Sequence, residues 1–340
     1  MSLDGYGGWP GILGRLSDGR DLTGAECTAA LGEILTGTVS DARIAAFIVA
    51  LRLKGETVEE LTGMQRAVMA AASPLRVPDG AIDIVGAGGA PSRRKHALNV
   101  STMAAFVAAG AGAVVCKHGN LKASSTSGSF DFLAALGIAV ADGPTLEAQI
   151  AEHGIGFAFA RDFHPSFRHV GPVRVELGIP TVFNILGPLS NPGGVTRQVI
   201  GTADRAAMVK MAETLRATGS TRSLIVHGDG QLDELSTTGP SLVVSLDDGE
   251  ISEYEIDAAD VGLRRATLDE LVGGDAATNA DIAARVFAGE RGAVRDIVVL
   301  NAAAGLLAAG VVDDLATGVD AAAASIDDGV AAAKVAALVD

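Results

Sequence analysis

The sequence predicts an α/β fold, with a small N-terminal helical domain and a larger α/β domain that has a mostly parallel central sheet. Three observations predict it. The first 74 residues carry repeated helix-start signals. Residues 82–227 alternate short apolar runs with helical segments, which is typical of a parallel sheet covered by helices. Pro74 and Pro78 separate the two parts and indicate a domain boundary.

The helical part is predicted from two capping boxes. Thr23 and Glu26 have the spacing in which the threonine accepts a bond from a backbone N–H and the glutamate accepts one in return, and Thr57 and Glu60 repeat it. We therefore expect helices after both threonines, and a third between them that is capped by Ser40.

Four apolar runs predict buried strands in the larger part: 82–85, 114–116, 198–201 and 224–227. Helices are expected at 101–111 and 205–217. Residues 242–256 resemble a hairpin that turns at Asp247-Asp248-Gly249, and the chain from 266 onward is expected to be mainly helical.

Composition and charge exclude several classes of function. A net charge of −15 opposes nucleic-acid binding, because affinity for that polyanion comes largely from Lys and Arg. An anionic ligand must therefore be small and held by a local cluster. The longest apolar stretch, 297–312, is interrupted by Asn301 and is shorter than the roughly 20 residues of a membrane span.

The cysteines and the first residues bear on the compartment. Cys27 and Cys116 are too few and too far apart for a disulfide framework or a zinc site, so we expect buried free thiols. Residues 1–10 lack the basic and apolar regions of a signal peptide. Both observations favour a cytoplasmic protein.

Two polar, glycine-bearing loops carry the clearest functional signal. Gly86-Ala87-Gly88-Gly89 leads to Asn99-Val100-Ser101-Thr102 at the start of a predicted helix, and Lys117-His118-Gly119-Asn120 leads to a hydroxyl-rich stretch at 124–129. Glycines let backbone amides approach phosphate oxygens, and a helix N-terminus adds N–H donors. Together the loops suggest one site for a phosphorylated sugar. Each taken alone is also compatible with a simple turn or a solvated loop.

Asp233-Glu234 adds two adjacent carboxylates. It follows the predicted strand 224–227, and the two polar loops also follow predicted strands. Ligands of open α/β sheets bind at the carboxyl ends of the strands, so we expect all three segments at one edge. Carboxylates beside a phosphate site suit Mg²⁺, which fills its other positions with water and substrate oxygens. Two solvated acids are the alternative.

Further motifs follow the two polar loops in a fixed order along the chain. The full order is Gly86-Ala87-Gly88-Gly89, Asn99-Val100-Ser101-Thr102, Lys117-His118-Gly119-Asn120, Ser124-Ser125, His164-Pro165, Arg174-Val175-Glu176-Leu177-Gly178, Phe183-Asn184-Ile185-Leu186-Gly187-Pro188, and His227-Gly228 through Asp233-Glu234. A shared order of motifs is far more specific than any one of them. In this order, and over some 300 residues, the chain resembles the anthranilate phosphoribosyltransferase family.

The resemblance implies that the amino nitrogen of anthranilate displaces pyrophosphate from phosphoribosyl pyrophosphate, with inversion at the sugar carbon, in tryptophan biosynthesis. An aromatic amine is already neutral and nucleophilic near pH 7, so no strong base is expected and no catalytic residue is assigned. The site has to position two substrates and stabilise the departing pyrophosphate.

The resemblance also implies roles for individual residues. Arg174 is the expected partner of the anthranilate carboxylate, because its guanidinium fork suits a planar acid, and His118 and Asn120 join it. Without the resemblance, Arg174 would be interpreted as a surface charge, and His164 and His169 as structural. Magnesium is expected at Ser101, Asp233 and Glu234. Contacts to phosphoribosyl pyrophosphate are expected from Gly86, Gly88, Gly89, Asn99, Ser101, Thr102, Lys117 and Ser124.

The implied architecture has two domains with the active site in the cleft between them. The helical domain would comprise residues 1–74, joined by a returning segment near 164–188. The α/β domain would comprise 75–163 and 189–340. The family implies a homodimer that pairs through the helical domain, and hinge closure over the substrates.

Three departures from the family pattern keep alternatives open. The glycine loop normally reads Gly-Thr-Gly-Gly-Asp, whereas this chain has Ala87 and Ala90. Leu121 stands where the family has arginine, and the linker before Asn99 is longer and contains Arg93-Arg94-Lys95-His96. This basic insert either supplies phosphate contacts or is a solvated loop. The alternatives are a paralogue with another acceptor or phosphorolytic activity, and a non-catalytic binding relative.

Overall fold

A computed structural model describes residues 3–87, 98–122 and 126–339. Four helices form the N-terminal part: α1 Gly8–Ser17, α2 Gly24–Thr36, α3 Asp41–Lys54 and α4 Val58–Ala70. The two predicted capping boxes are confirmed at Thr23 and Thr57, where each hydroxyl accepts from the backbone N–H three residues on. Ser40 precedes α3 as predicted, but its side chain makes no capping bond.

The helical domain has its own hydrophobic core. Trp9 meets Phe47 edge to face, with the ring centroids 6.0 Å apart. Val170, Phe183 and Leu186 from a later part of the chain complete this core. The short helices of this part are α8 Ala160–Phe163, α9 Gly171–Leu177 and α10 Phe183–Leu186. Val170 directly precedes α9, and Phe183 and Leu186 lie in α10. The chain therefore returns to the helical domain between two strands of the sheet.

The larger domain is built on one seven-stranded sheet with the order β3-β2-β1-β4-β5-β6-β7. The first five strands are parallel, and β6 and β7 add an antiparallel hairpin at one edge. The strands are β1 Ile82–Gly86, β2 Val115–Gly119, β3 Ile155–Phe159, β4 Arg197–Gly201, β5 Arg222–His227, β6 Ser241–Asp247 and β7 Glu250–Ile256.

The sequence analysis missed β3. Gly156 interrupts its apolar pattern, and glycine weakens a strand signal. The structure gives the reason for this glycine, since a Cβ there would lie 2.5 Å from Leu146 Cδ1. A helix thus packs directly on the strand backbone. The predicted hairpin turn is confirmed, with positive φ at both Asp248 and Gly249, as a two-residue type I′ turn requires.

Helices cover both faces of the sheet. Those of the larger domain are α5 Val100–Gly110, α6 Ser129–Ala135, α7 Gly143–His153, α11 Met208–Ala217, α12 Ala276–Phe287, α13 Ala293–Ala309, α14 Leu315–Asp327 and α15 Val330–Ala336. The predicted helical C-terminal part is therefore confirmed. No helix in the described ranges is both long and apolar enough to cross a bilayer.

The two domains meet along α4 and α11. Lys210 Nζ donates to the carbonyl oxygen of Glu56 at 2.8 Å, and Gln65 Nε2 donates to that of Leu189 at 3.1 Å. In each bond a side chain of one domain donates to a backbone carbonyl oxygen of the other domain. The helical domain therefore packs on α11, a helix that covers β5 and β6.

Candidate active site

The carboxyl ends of β1 and β4 lie side by side at one edge of the sheet. These strands are neighbours, but the chain continues from β1 to β2 on one side and from β4 to β5 on the other. Such a switch point is where open α/β sheets bind ligands. Gly86 and Gly201 pair with each other at this edge. Three of the segments predicted to form the site come together around them.

Asp233 lies directly against the two glycines. A Cβ on Gly86 would be 2.5 Å from Asp233 Oδ2, and a Cβ on Gly201 would overlap the backbone of Asp233. The glycines are therefore required for close approach, and they place the Asp233 carboxylate over the end of β1. The predicted proximity of Gly86 and the Asp233-Glu234 pair is thus present in the structure.

The loop that carries Asp233 and Glu234 is held at both ends. Gly228 and Leu232 form an isolated antiparallel bridge on one side. On the other, buried Asn301 of α13 accepts from Leu235 N and donates to Leu235 O, both at 2.9 Å. Asn301 is the amide that interrupts the apolar stretch 297–312. A buried amide in such a stretch is a sequence signal for a structural clamp.

Lys117 is a buried cation beside this loop. The side chain is 2% exposed, and its Nζ donates to the carbonyl oxygen of Ile84 in β1. Burial lowers the pKa of Lys117 to about 8, and the negative charges of Asp83 and Asp233 oppose that shift. The lysine can therefore offer positive charge to an anion at neutral pH from a position with little water.

Asp83 supports the end of β2 from below the site, and this role was not predicted from the sequence. Its carboxylate accepts from the backbone N–H of His118 at 3.1 Å and from Asn191 Nδ2 at 2.8 Å. Burial raises the pKa of Asp83 to about 6, while Lys117 and these donors oppose the shift. The signal was available, because an acid in the middle of the apolar run Ile82–Gly86 must have buried partners.

The N-terminus of α5 lies at the same edge, as the βα connection from β1 requires. Asn99 precedes α5, and its Oδ1 accepts from Ser127 Oγ at 2.9 Å and Asn279 Nδ2 at 2.8 Å. Asn99 therefore joins three segments. Ser101 is partly buried in the first turn, and Thr102 is 1% exposed. Gly88, Gly89 and Ser124 lie outside the described residues, as do Ala90 and the basic insert.

An aromatic ladder connects His118 to Arg174 across the domain junction. The ring centroids of His118 and His164 are 5.3 Å apart, and His164 stacks on Phe167 at 5.3 Å. Phe167 meets Phe183 at 5.5 Å, and the Arg174 guanidinium lies 5.3 Å from the Phe183 centroid. The returning segment thus provides an apolar, aromatic wall next to the strand end that carries Lys117.

Several buried polar atoms along this wall lack a partner within the described part of the chain. They are His118 Nε2, His164 Nδ1, Arg174 Nε, Thr181 Oγ1 and Ser190 Oγ. An unsatisfied buried polar group costs about 1–3 kcal/mol, so a cluster of them indicates a ligand or ordered water. Burial lowers the pKa of His118 to about 3, so its imidazole is neutral at pH 7.

Asn120 lies at the end of β2, directly after Gly119. It is exposed, and its Oδ1 accepts from the backbone N–H of the following Leu121 at 2.8 Å. Residues 3–87, 98–122 and 126–339 contain no group of three or more His, Cys, Asp or Glu side chains placed to hold a metal ion. Asp233 and Glu234 fit Mg²⁺ instead, because that ion needs only one or two carboxylates beside substrate oxygens and water.

Comparisons with known proteins agree with this arrangement. Residues 79–332 match the model of the glycosyl transferase family a/b domain, and residues 10–72 match that of its helical bundle domain. An anthranilate phosphoribosyltransferase from Rhodococcus jostii is 47% identical over 331 residues, which are 95% of this chain and 90% of the relative.

Solved structures are also similar. The anthranilate phosphoribosyltransferase of Thermus thermophilus superposes with a TM-score of 0.91 at 42% identity, over 96% of this chain and 98% of that one. The enzyme of Saccharomyces cerevisiae, in complex with phosphoribosyl pyrophosphate and Mg, gives a TM-score of 0.88 at 26% identity, over 98% and 97% of the two chains.

Proposed function

The chain belongs to the anthranilate phosphoribosyltransferase family, and we propose that it transfers the phosphoribosyl group of phosphoribosyl pyrophosphate to the amino group of anthranilate. One observation carries this proposal beyond the family. The edge of the sheet that carries Lys117 and Asp233 adjoins an aromatic wall whose buried polar atoms, including Arg174 Nε, have no partner among the described residues. A polyanionic donor and a planar aromatic acid fit these two halves.

The donor, phosphoribosyl pyrophosphate, would bind at the carboxyl ends of β1 and β4. We propose contacts from the glycine loop, the start of α5 and Lys117. Backbone amides and the helix N-terminus suit phosphate oxygens, and Lys117 adds a nearby positive charge. These groups are fixed before the reaction, so they stabilise negative charge on departing pyrophosphate without reorganising. The contacting residues proposed are Gly86, Gly88, Gly89, Asn99, Ser101, Thr102, Lys117 and Ser124.

The acceptor would lie along the aromatic wall. The Arg174 guanidinium would pair with its carboxylate, and the neutral His118 imidazole would lie near the ring and amine, with Asn120 at the rim. The neutral amine attacks the anomeric carbon from the face opposite the pyrophosphate, the bond to the leaving oxygen breaks, and the configuration inverts. The nitrogen, positively charged after the attack, then loses one proton to water or to the departing pyrophosphate. Orientation of the substrates and stabilisation of the pyrophosphate account for the catalysis, so no strong base is required.

Magnesium is proposed at Asp233 and Glu234, with the hydroxyl of Ser101 nearby. The observation that supports it is the position of the Asp233 carboxylate over Gly86, at the place where phosphate oxygens would enter. When bound, the ion supplies positive charge to the pyrophosphate oxygens. The loop's own contribution is to hold both carboxylates, which the Asn301 bonds to Leu235 secure.

We propose that residues 1–74 with 164–188 move as one domain against 75–163 and 189–340. The acceptor residue Arg174 then belongs to the first unit, and His118, Lys117 and Asp233 belong to the second. Closure brings the two substrates together and excludes water. The exclusion of water strengthens the electrostatic interactions between the protein and the pyrophosphate.

A homodimer in the cytoplasm is also proposed. On α3, the incompletely buried apolar residues Ala42, Ala46, Val49 and Leu53 repeat at helical spacing and form a stripe. Leu53 is 83% exposed, and Val175 on the adjacent α9 is 82% exposed. Such a patch is typical of an interface, and a second copy pairing through the helical domain would cover it. The buried free thiols Cys27 and Cys116 suit a reducing compartment.

The experiment that tests the function incubates the purified protein with anthranilate, phosphoribosyl pyrophosphate and Mg²⁺ and follows the loss of anthranilate fluorescence. We expect the loss to require the protein, phosphoribosyl pyrophosphate and Mg²⁺ together, with pyrophosphate released in an amount equal to the anthranilate consumed. Pyrophosphate release without consumption of anthranilate would instead support another acceptor. No turnover of either substrate by a folded protein would support a non-catalytic relative.

A further inference from the structure

A buried hydrogen-bond network connects α12 to the start of α5, and Asn279 of α12 lies at its centre. Asn279 is 0% exposed, and its Nδ2 donates to Asn99 Oδ1 at 2.8 Å. Its own Oδ1 accepts from the backbone N–H of Gly274 at 2.8 Å. Because both ends of the amide are engaged, its orientation is fixed. Asn279 was not among the residues predicted from the sequence.

Asn99 is unusual for an asparagine that precedes a helix. Such a side chain commonly accepts from a backbone N–H of the first turn. The Asn99 side chain makes no capping bond, and only its backbone carbonyl accepts from Thr102 N at 3.1 Å and Met103 N at 3.0 Å. Its Oδ1 accepts instead from Asn279 Nδ2 and from Ser127 Oγ. An amide oxygen has two lone pairs, so these two donors use its accepting capacity and direct it away from α5.

This arrangement leaves hydrogen-bond donors at the start of α5. The N–H groups of Val100 and Ser101 precede the first backbone acceptor of the helix, and neither donates to another atom of residues 3–87, 98–122 and 126–339. Both side-chain bonds of Asn99 use Oδ1, so its Nδ2 is also left as a donor. Uncapped N–H groups at a helix start are the donors that phosphate oxygens accept from.

The same network holds the loop that follows β2. Thr126 Oγ1 donates to the carbonyl oxygen of Gly274 at 2.8 Å, and Gly274 N is the group that donates to Asn279. Ser127, the next residue of the loop, is the second donor to Asn99. The start of α5 and this loop are therefore fixed relative to each other through α12.

We propose that Asn279 is a positioning residue of the donor site, which holds Asn99 Oδ1 away from α5 and so keeps the first N–H groups of that helix available to phosphate oxygens. The inference rests on the proposed binding of phosphoribosyl pyrophosphate at this edge of the sheet. Asn279 is fully buried, so it acts through Asn99. Without its N–H donor, Asn99 Oδ1 would turn to cap α5 and would compete with the phosphate for the same N–H groups.

The test is a double-mutant cycle of Asn279→Leu and Asn99→Ala. The quantity measured is the dissociation constant of phosphoribosyl pyrophosphate, by isothermal titration of the full-length protein with Mg²⁺ and without anthranilate. Leucine has nearly the shape of asparagine and adds no charge, and alanine at position 99 cannot cap α5. The matched control is Asp275→Ala, which removes the side-chain cap of the same helix, where Asp275 Oδ1 accepts from Thr278 N at 2.9 Å.

We expect Asn279→Leu to weaken binding at least about tenfold when Asn99 is present. When position 99 is already alanine, the same change should weaken binding by less than about threefold. The Michaelis constant for anthranilate should stay near that of wild type. Asp275→Ala should lower the melting temperature and leave the affinity unchanged, which separates positioning from a loss of helix stability.

Should Asn279→Leu fail to fold, Asn279→Asp replaces it, because aspartate keeps an acceptor for Gly274 N and loses only the donor to Asn99. Its added charge acts in both backgrounds and cancels in the cycle. Equal weakening in both backgrounds, or unchanged affinity in the Asn279 variant, would overturn the inference alone. A wild-type protein that does not bind phosphoribosyl pyrophosphate would overturn the proposed donor site together with the inference.

Discussion

Replacing Gly86 with alanine is expected to damage activity without unfolding the protein. The new Cβ would lie 2.5 Å from Asp233 Oδ2, whereas ordinary contacts begin at 3.4 Å. The carboxylate must therefore move by about 0.9 Å. Misplacing a positioning group by about 1 Å can lower a rate a hundredfold. Because the atom that must move is the end of a side chain, the backbone and the sheet can remain in place.

The assay is steady-state kinetics at several concentrations of phosphoribosyl pyrophosphate and Mg²⁺, with a thermal melt of each variant. We expect kcat/KM for phosphoribosyl pyrophosphate to fall by about ten- to a hundredfold, more Mg²⁺ to be needed, and the melting temperature to change little. Gly32→Ala is the matched control, since a Cβ there meets nothing within 4 Å. Wild-type kinetics and Mg²⁺ dependence in Gly86→Ala would refute the placement of Asp233 in the donor site.

Three further predictions concern the donor site and the dimer. Burial lowers the pKa of Lys117 to about 8, so kcat/KM for phosphoribosyl pyrophosphate should fall above that pH as the lysine loses its charge, and a flat profile to pH 9.5 would count against its role. Ala90→Asp should tighten binding of this substrate in a Mg²⁺-dependent manner, whereas unchanged binding together with a sharp loss in the Arg93→Gln, Arg94→Gln double variant would favour direct contacts from the basic insert. Light scattering should give a dimer mass that Leu53→Asp lowers to a monomer, with Leu268→Asp, at 45% exposure, as the unchanged control.

The sequence predicted most of the fold because its signals were local. Capping boxes at Thr23 and Thr57, and the turn at Asp248-Gly249, act within a few residues, and the structure confirms them. β3 was missed because Gly156 serves a contact with α7 that lies outside its own strand. Packing requirements of this kind cannot be inferred from a local pattern.

The candidate site was also predicted only in part from the sequence. The motifs correctly indicated that the ends of β1 and β2 and the Asp233-Glu234 loop meet at one edge of the sheet, because parallel strands require it. Asp83, Asn191 and the edge-to-face contact of His164 with His118 were not predicted. Their roles depend on contacts between segments about 45 to 110 residues apart, which spacing along the chain does not encode.

Arg174 is proposed to hold the acceptor carboxylate, across the domain junction from the donor site. The most direct measurement is the Michaelis constant for each substrate in Arg174→Ala, with Arg168→Ala, an exposed arginine of the same returning segment, as the control. Loss of a charge-assisted bidentate contact costs about 1.5–3 kcal/mol, so the constant for anthranilate should rise by about 10- to 150-fold. The constant for phosphoribosyl pyrophosphate should change little. Equal increases of the Michaelis constant for both substrates, or no increase for anthranilate, would show that Arg174 does not hold the acceptor carboxylate.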